Sequence, residues 1–149
     1  PIQDCVIETD LEVVIPDDYV SNITERLRLY NQLDNTKDEK ELDEFIKSLT
    51  DRFGVLPQSV VDLTETVRLR WHAEQLGFEK LKLTGGIMKG YVKVEKNDDY
   101  FQSDIFGRVL AYIQQNPQTA SFRELKGKMI LTFKGISSIE VALQVLCGV

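Results

Sequence analysis

The sequence predicts an α+β protein: an N-terminal three-helix segment followed by two antiparallel hairpin-plus-helix (ββα) units. Three observations carry this. Up to Gly77, apolar residues recur every three or four positions and the breaks between runs carry helix caps. Beyond Gly77 the period drops to two, with Leu81 and Leu83 alternating with Lys80 and Lys82. Two tight-turn signals, Gly85-Gly86 and Lys126-Gly127, then each join two strand-like runs and precede a capped helix. Strands joined by such turns run antiparallel.

The elements follow in order. Residues 4–8 alternate weakly and read as a strand leading in from a preceding domain. Val13, Val14 and Ile15 form a short apolar run that stops at Pro16, before a turn. A first helix is expected over about 22–33, where Asn22 and Glu25 have capping-box spacing. Ile23, Leu27, Tyr30 and Leu33 are its expected inner face. A second helix starts at Thr36-Lys37-Asp38-Glu39, again with cap spacing, and buries Leu42, Phe45, Ile46 and Leu49. Gly54 follows as its left-handed terminator. Pro57 opens a third helix that ends at Gly77 and spans about 30 Å, with Val60, Leu63, Val67 and Trp71 inward.

The first hairpin pairs residues 80–83 with 87–95. A polar loop, 96–99, precedes a helix capped at Ser103 whose apolar face is Ile105, Phe106, Val109, Leu110 and Ile113. Asn116-Pro117 ends it. The second hairpin joins 122–125 to 129–133, and Ser137 to Glu140 is a third capping box, opening a helix with Ile139, Ala142, Leu143 and Leu146 inward. The resulting organisation is a lead-in strand and linker over 1–20 and one domain over 21–149, with a helical half 21–77 and a sheet-plus-helix half 78–149.

Composition limits the function. A chain of 149 residues, 42% hydrophobic and 28% charged, can bury roughly 70% of its unfolded surface without staples. A net charge of −6 disfavours nucleic acid as the main partner. The two cysteines, Cys5 and Cys147, lie near opposite ends, outside any zinc-type spacing, and read as reduced thiols. No apolar run approaches the roughly 20 residues of a membrane helix, and no basic-then-apolar leader opens the chain. The expectation is a cytoplasmic fragment of a longer protein.

Catalysis has little to stand on. There is a single histidine, His72, no GxSxG or Ser/Lys arrangement, and no phosphate-cradling loop. Asp38, Glu39, Glu41, Asp43 and Glu44, interleaved with Lys37, Lys40 and Lys47, read as a solvated helix face rather than a metal site. Lys80, Lys82, Lys89, Lys93 and Lys96, with Tyr91 and Tyr100 nearby, make a Lys-rich hairpin over 80–96. Its simplest reading is a wet sheet face; the alternative is a nucleic-acid-binding module. At the end of the second helix, Arg52 suits the helix dipole, whereas Asp51 opposes it by about 0.3–1 kcal/mol. Asp51 therefore calls for a cation, from Arg52, a nearby lysine or a partner surface, while Phe53 is expected to tuck into the core.

A series of motifs then becomes recognisable. Ile15-Pro16-Asp17-Asp18-Tyr19-Val20, Arg26-Leu27, Leu29-Tyr30, Glu41-Leu42, Asp51-Arg52-Phe53-Gly54, Leu56-Pro57 and Leu76-Gly77 fall in an order and spacing that resembles the C-terminal domain of the transcription-repair coupling factor family (Mfd). The likeness is specific over about residues 5–80 and becomes a compatible pattern beyond. It implies a parent with an ATP-driven, helicase-like motor, using ATP and Mg on double-stranded DNA, that displaces RNA polymerase stalled at DNA damage and recruits the excision machinery through UvrA. It implies for this domain no catalysis and no cofactor. The implied role is regulatory, docking on the UvrA-binding domain of the same polypeptide and masking it. The family's docking pattern at this helix end is Glu-Leu-x-Asp-Arg-Phe-Gly. Asp51 and Arg52 match it and Ser48 stands in the glutamate position, so one contact is missing or moved to Asp43, Glu44 or Lys47. Ser48, Asp51 and Arg52 are the partner-binding candidates.

Overall fold

The computed structural model describes residues 4–94 and 98–149. Their elements run β1 (Val6–Thr9), α1 (Ile23–Asp34), α2 (Glu39–Phe53), α3 (Gln58–Gln75), β2 (Lys80–Thr84), β3 (Ile87–Lys93), α4 (Asp98–Phe101), α5 (Asp104–Gln115), β4 (Ala120–Leu125), β5 (Lys128–Lys134) and α6 (Ile139–Gly148). This is the α+β order read from the sequence. The end of the returning strand at Glu95 and the loop residue Lys96 lie outside the described residues.

The chain divides into two compact units, and the division falls within α3. One unit spans Glu12–Val67. In it, α1 is capped by Asn22, whose side chain accepts the Glu25 N–H at 2.9 Å. Its buried face is Leu29 and Leu33, with Tyr30 half-buried. Two of the four residues expected inward point out instead: Ile23 and Leu27 are 64% and 63% exposed. Leu29 takes their place because the face is set by Tyr30, whose hydroxyl accepts the Ile15 N–H at 2.7 Å and so turns the helix toward the 13–15 run.

The second helix starts later than the Thr36 signal suggests. Asp38 is its cap, accepting the Glu41 N–H at 2.8 Å, while the Glu41 carboxylate accepts the Lys37 N–H at 3.1 Å. Thr36 instead donates its hydroxyl to the Gln32 carbonyl, closing α1. The expected stripe holds: Leu42, Phe45 and Leu49 are buried and Ile46 is half-buried. Gly54 ends α2 with φ +93°, a conformation open to glycine, and its N–H returns to the Thr50 carbonyl. The part of α3 in this unit buries Val60, Thr64 and Val67, with Leu63 only half-buried.

The other unit joins the described residues up to Leu11 to those from Arg68 onward. It holds one five-stranded sheet in the order β1-β2-β3-β5-β4. Both hairpins therefore belong to a single sheet, joined by antiparallel pairing of β3 with β5. Residues read as a lead-in strand form its edge, where β1 runs parallel to β2. Both hairpin turns carry two consecutive positive-φ residues, Gly85-Gly86 and Lys126-Gly127, which matches the right-handed twist of the strands. Burial alternates along β2 and β3, whereas β5 also buries Ile130 on the opposite side and β4 buries only Ala120. Leu81, Leu83, Met88, Val92, Met129, Leu131 and Phe133 are buried, and the lysines face the other side. Leu69, Ala73 and Leu76 of α3, none named from the sequence, join this core, with Trp71 half-buried.

Tyr112 of α5 packs edge-on to Phe133, their centroids 5.9 Å apart. Tyr100, from the short α4 that the sequence reading missed, donates its hydroxyl to the Leu76 carbonyl at 2.9 Å. Ser103 caps α5 as expected. The cap of α6 is Ser138, one residue beyond the expected Ser137.

Candidate functional site

The three predicted residues lie at the end of α2, within the unit Glu12–Val67. Ser48, Asp51 and Arg52 are all exposed, as the helical period requires of residues three and four apart beside a buried Leu49. Arg52 donates to Glu25 at 2.7 Å, and Arg28 donates to the other oxygen of the same carboxylate at 2.9 Å. Glu25 thus spends its side chain between two arginines instead of completing the capping box with Asn22. Its place in the first turn of α1 suits the helix dipole.

An aromatic support lies under Arg52. The guanidinium sits 4.8 Å from the centroid of Phe53, and the Phe53 ring is 5.8 Å from Tyr19. The Tyr19 hydroxyl donates to the Gly54 carbonyl at 2.8 Å, with the Leu49 carbonyl 3.3 Å away. Burial pushes the Tyr19 phenol up, which keeps it a neutral donor. Phe53 is only half-buried, contrary to the expectation that it enters the core: it is the stacking surface for Arg52. Arg26 donates to the carbonyls of Val20 and Ser21 and so fixes the turn into α1. Between these parts runs an open groove of about 560 Å³ lined by Val20, Ser21, Asn22, Thr24, Glu25, Arg28, Arg52 and Phe53.

Of the two charges at the helix end, Arg52 is satisfied within the chain and Asp51 is not. No ion pair forms to Asp51 among the described residues, although Arg52 and Lys47 are its sequence neighbours. A carboxylate at a helix C-terminus is opposed by the dipole. The Arg52–Glu25 pair is also lopsided, with side chains 49% and 16% exposed. Exposed pairs of this kind contribute about 1 kcal/mol or less, so Arg52 can exchange its partner at small cost. The arrangement suits recognition of a partner surface bearing both signs of charge.

Sequence reasoning missed the roles of Glu25, Arg28, Phe53 and Tyr19 here. Glu25 looked like a capping residue only, and its contact with Arg52 spans 27 positions. Other candidates fall elsewhere. The acids of α2 are exposed, and Asp38 and Glu41 serve as caps. Among the described residues no three His, Cys, Asp or Glu side chains gather to hold a metal. His72, the single histidine, has its Nε2 3.4 Å from the exposed Cys147 Sγ; the pair is 75 positions apart and invisible to spacing rules. No described helix is long and apolar enough to cross a membrane.

The chain belongs to the TRCF domain family, whose pattern matches residues 9–103. Among relatives, the transcription-repair-coupling factor of Escherichia coli strain K12 is 30% identical over 118 residues, covering 78% of this chain and 10% of that protein. That of Rickettsia bellii is 30% identical over 128 residues, covering 85% and 11%. The chain thus spans about a tenth of the length of these relatives. A crystal structure of the C-terminal domain of a transcription-repair coupling factor superposes with a TM-score of 0.75, covering 98% of this chain and 90% of that one at 16% identity.

Proposed function

We propose that this domain is the regulatory, non-catalytic part of a transcription-repair coupling factor. It docks through the end of α2 on the UvrA-binding domain of the same polypeptide and restrains it. In this reading ATP and Mg belong to the parent's motor, which translocates on double-stranded DNA in the cytoplasm and meets RNA polymerase and UvrA. The domain itself takes no cofactor. The observation that carries the proposal is the exposed Asp51, left without an ion pair among the described residues at the unfavourable end of α2. Beside it, the Arg52 guanidinium sits over the Phe53 ring and is free to trade Glu25 for a partner carboxylate. Family membership supports the assignment. Ser48 stands one turn back on the same exposed surface and contributes a hydroxyl where the family pattern carries a charge.

The test is a calorimetric titration of the chain with an isolated UvrA-binding domain. Asp51→Ala with Arg52→Ala is expected to weaken binding by at least about tenfold, as two charge-assisted contacts are lost, with an unchanged circular dichroism spectrum. Ser48→Glu is expected to tighten it. Unchanged affinity in the double variant would sink the assignment of these residues.

A further inference from the structure

The side of the sheet opposite its core is unusually basic for a chain of net charge −6. Register places Lys82 of β2 directly opposite Lys89 of β3. The same row starts at Glu8 of β1, in register with Lys82, and continues through Thr132 of β5 to Ser121 of β4. Lys134 and Arg123 flank it on β5 and β4. The carboxylates near this face are already engaged: Glu8 pairs with Lys80 at 3.4 Å and Glu79 with Lys128. Lys82, Lys89, Lys134 and Arg123 have no ion pair among the described residues.

Like charges directly opposite on paired strands are destabilising. Here two half-buried lysines at paired positions line, with Thr84 and Ile87, a dent of about 110 Å³. An oxyanion seated there would turn repulsion into two attractions and would find hydroxyl donors along the row. The neighbouring aromatic does not offer a stacking platform, because the Lys80 ammonium already lies 5.5 Å from the Tyr91 ring centroid. A base stacking on this ring would have to displace that ammonium, which disfavours single-strand recognition here.

We infer that this face binds the phosphate backbone of a nucleic-acid duplex, without regard to sequence, through Lys82, Lys89, Lys134 and Arg123. The surface is distinct from the end of α2 and shares no residue with it.

Fluorescence anisotropy of the 149-residue chain with a labelled duplex DNA of mixed sequence tests this. Binding should appear at low salt and weaken with a log–log salt slope of about −3.6, from four phosphate contacts at roughly −0.9 each. Lys82→Ala with Lys89→Ala should reduce the slope by about 1.8 and the affinity by about tenfold or more, while the fold is kept or stabilised by relief of the repulsion. Lys40→Ala with Lys47→Ala on α2 makes the same change in net charge and should leave binding as it was. Absence of binding at low salt would overturn the inference, as would equal losses in the two double variants. Tighter binding of a single strand, or of polyglutamate, than of the duplex would also overturn it.

Discussion

Gly90 lies in the middle of β3, between Leu81 of β2 and Leu131 of β5. Its lack of a side chain makes room for a ring. A Cβ built there would stand 2.5, 2.7 and 2.8 Å from three carbons of Phe78, against ordinary contacts of 3.4 Å or more. The ring is wholly buried and cannot swing into solvent. Gly90→Ala must therefore push Phe78 by most of an ångström into a packed core, an overpacking that costs about 1–3 kcal/mol. In a chain of this length each kcal/mol lowers the melting temperature by about 2–4 °C, so a fall of roughly 2–12 °C is expected. Phe78→Leu alone should also destabilise, through lost buried volume. The decisive measurement is the double-mutant cycle by urea denaturation. If the clash is the cause, the double variant loses less than the sum of the singles, by about 0.5–3 kcal/mol. Additivity within about 0.5 kcal/mol would refute the packing argument, whatever Gly90→Ala does alone.

Two further outcomes are expected. Burial pushes the Cys5 thiol from 9.0, and the Tyr100 phenol from 10.0, up to about 12 in each case. Both shifts favour the neutral form in the folded chain, so the stability they confer is complete below the unfolded values and is lost as pH rises toward 12. The unfolding free energy from urea titrations should therefore fall by up to about 1.4 kcal/mol per pH unit for each group, from about pH 9 for Cys5 and about pH 10 for Tyr100, and Cys5→Ala should flatten the stretch between 9 and 10. A wild-type slope retained in that variant would count against the assignment. The second concerns the thiols: Cys147 is exposed beside His72 whereas Cys5 is buried. A disulfide-exchange reagent should modify one thiol in the folded chain and two in guanidinium. Two fast thiols, or none, would show that the exposures are wrong.

The elements most legible in the sequence are those whose signal is local. The α2 stripe, Gly54, both hairpin turns and Ser103 depend on neighbours a few positions away, and each appears where expected. The α1 face did not, because Tyr30 takes its direction from Ile15, and no spacing rule contains that bond. The caps of α2 and α6 slipped because several polar residues in a row can each serve, and tertiary packing chooses among them. At the candidate site the charged helix end was readable, whereas the Glu25 bridge, the stacking role of Phe53 and the Tyr19 latch are contacts between segments far apart in the chain. The basic hairpin was readable, but its extension across β5 and β4 depends on which strands become neighbours.

The pairing of β1 with β2 sets an order in time. Val6 meets Lys80, and every residue of the helical unit lies between them in sequence. On a ribosome adding 5–20 residues per second, β1 waits roughly 4–15 s for the strand it pairs with. Among the sheet's pairings, the β2–β3 and β4–β5 hairpins can close as soon as they are made. A short strand with an exposed Val6 and no mate is an opening for pairing with another chain. Yield on expression should then respond to changes in residues 6–9 more sharply than equilibrium stability does, because the exposure is spent before the native state exists.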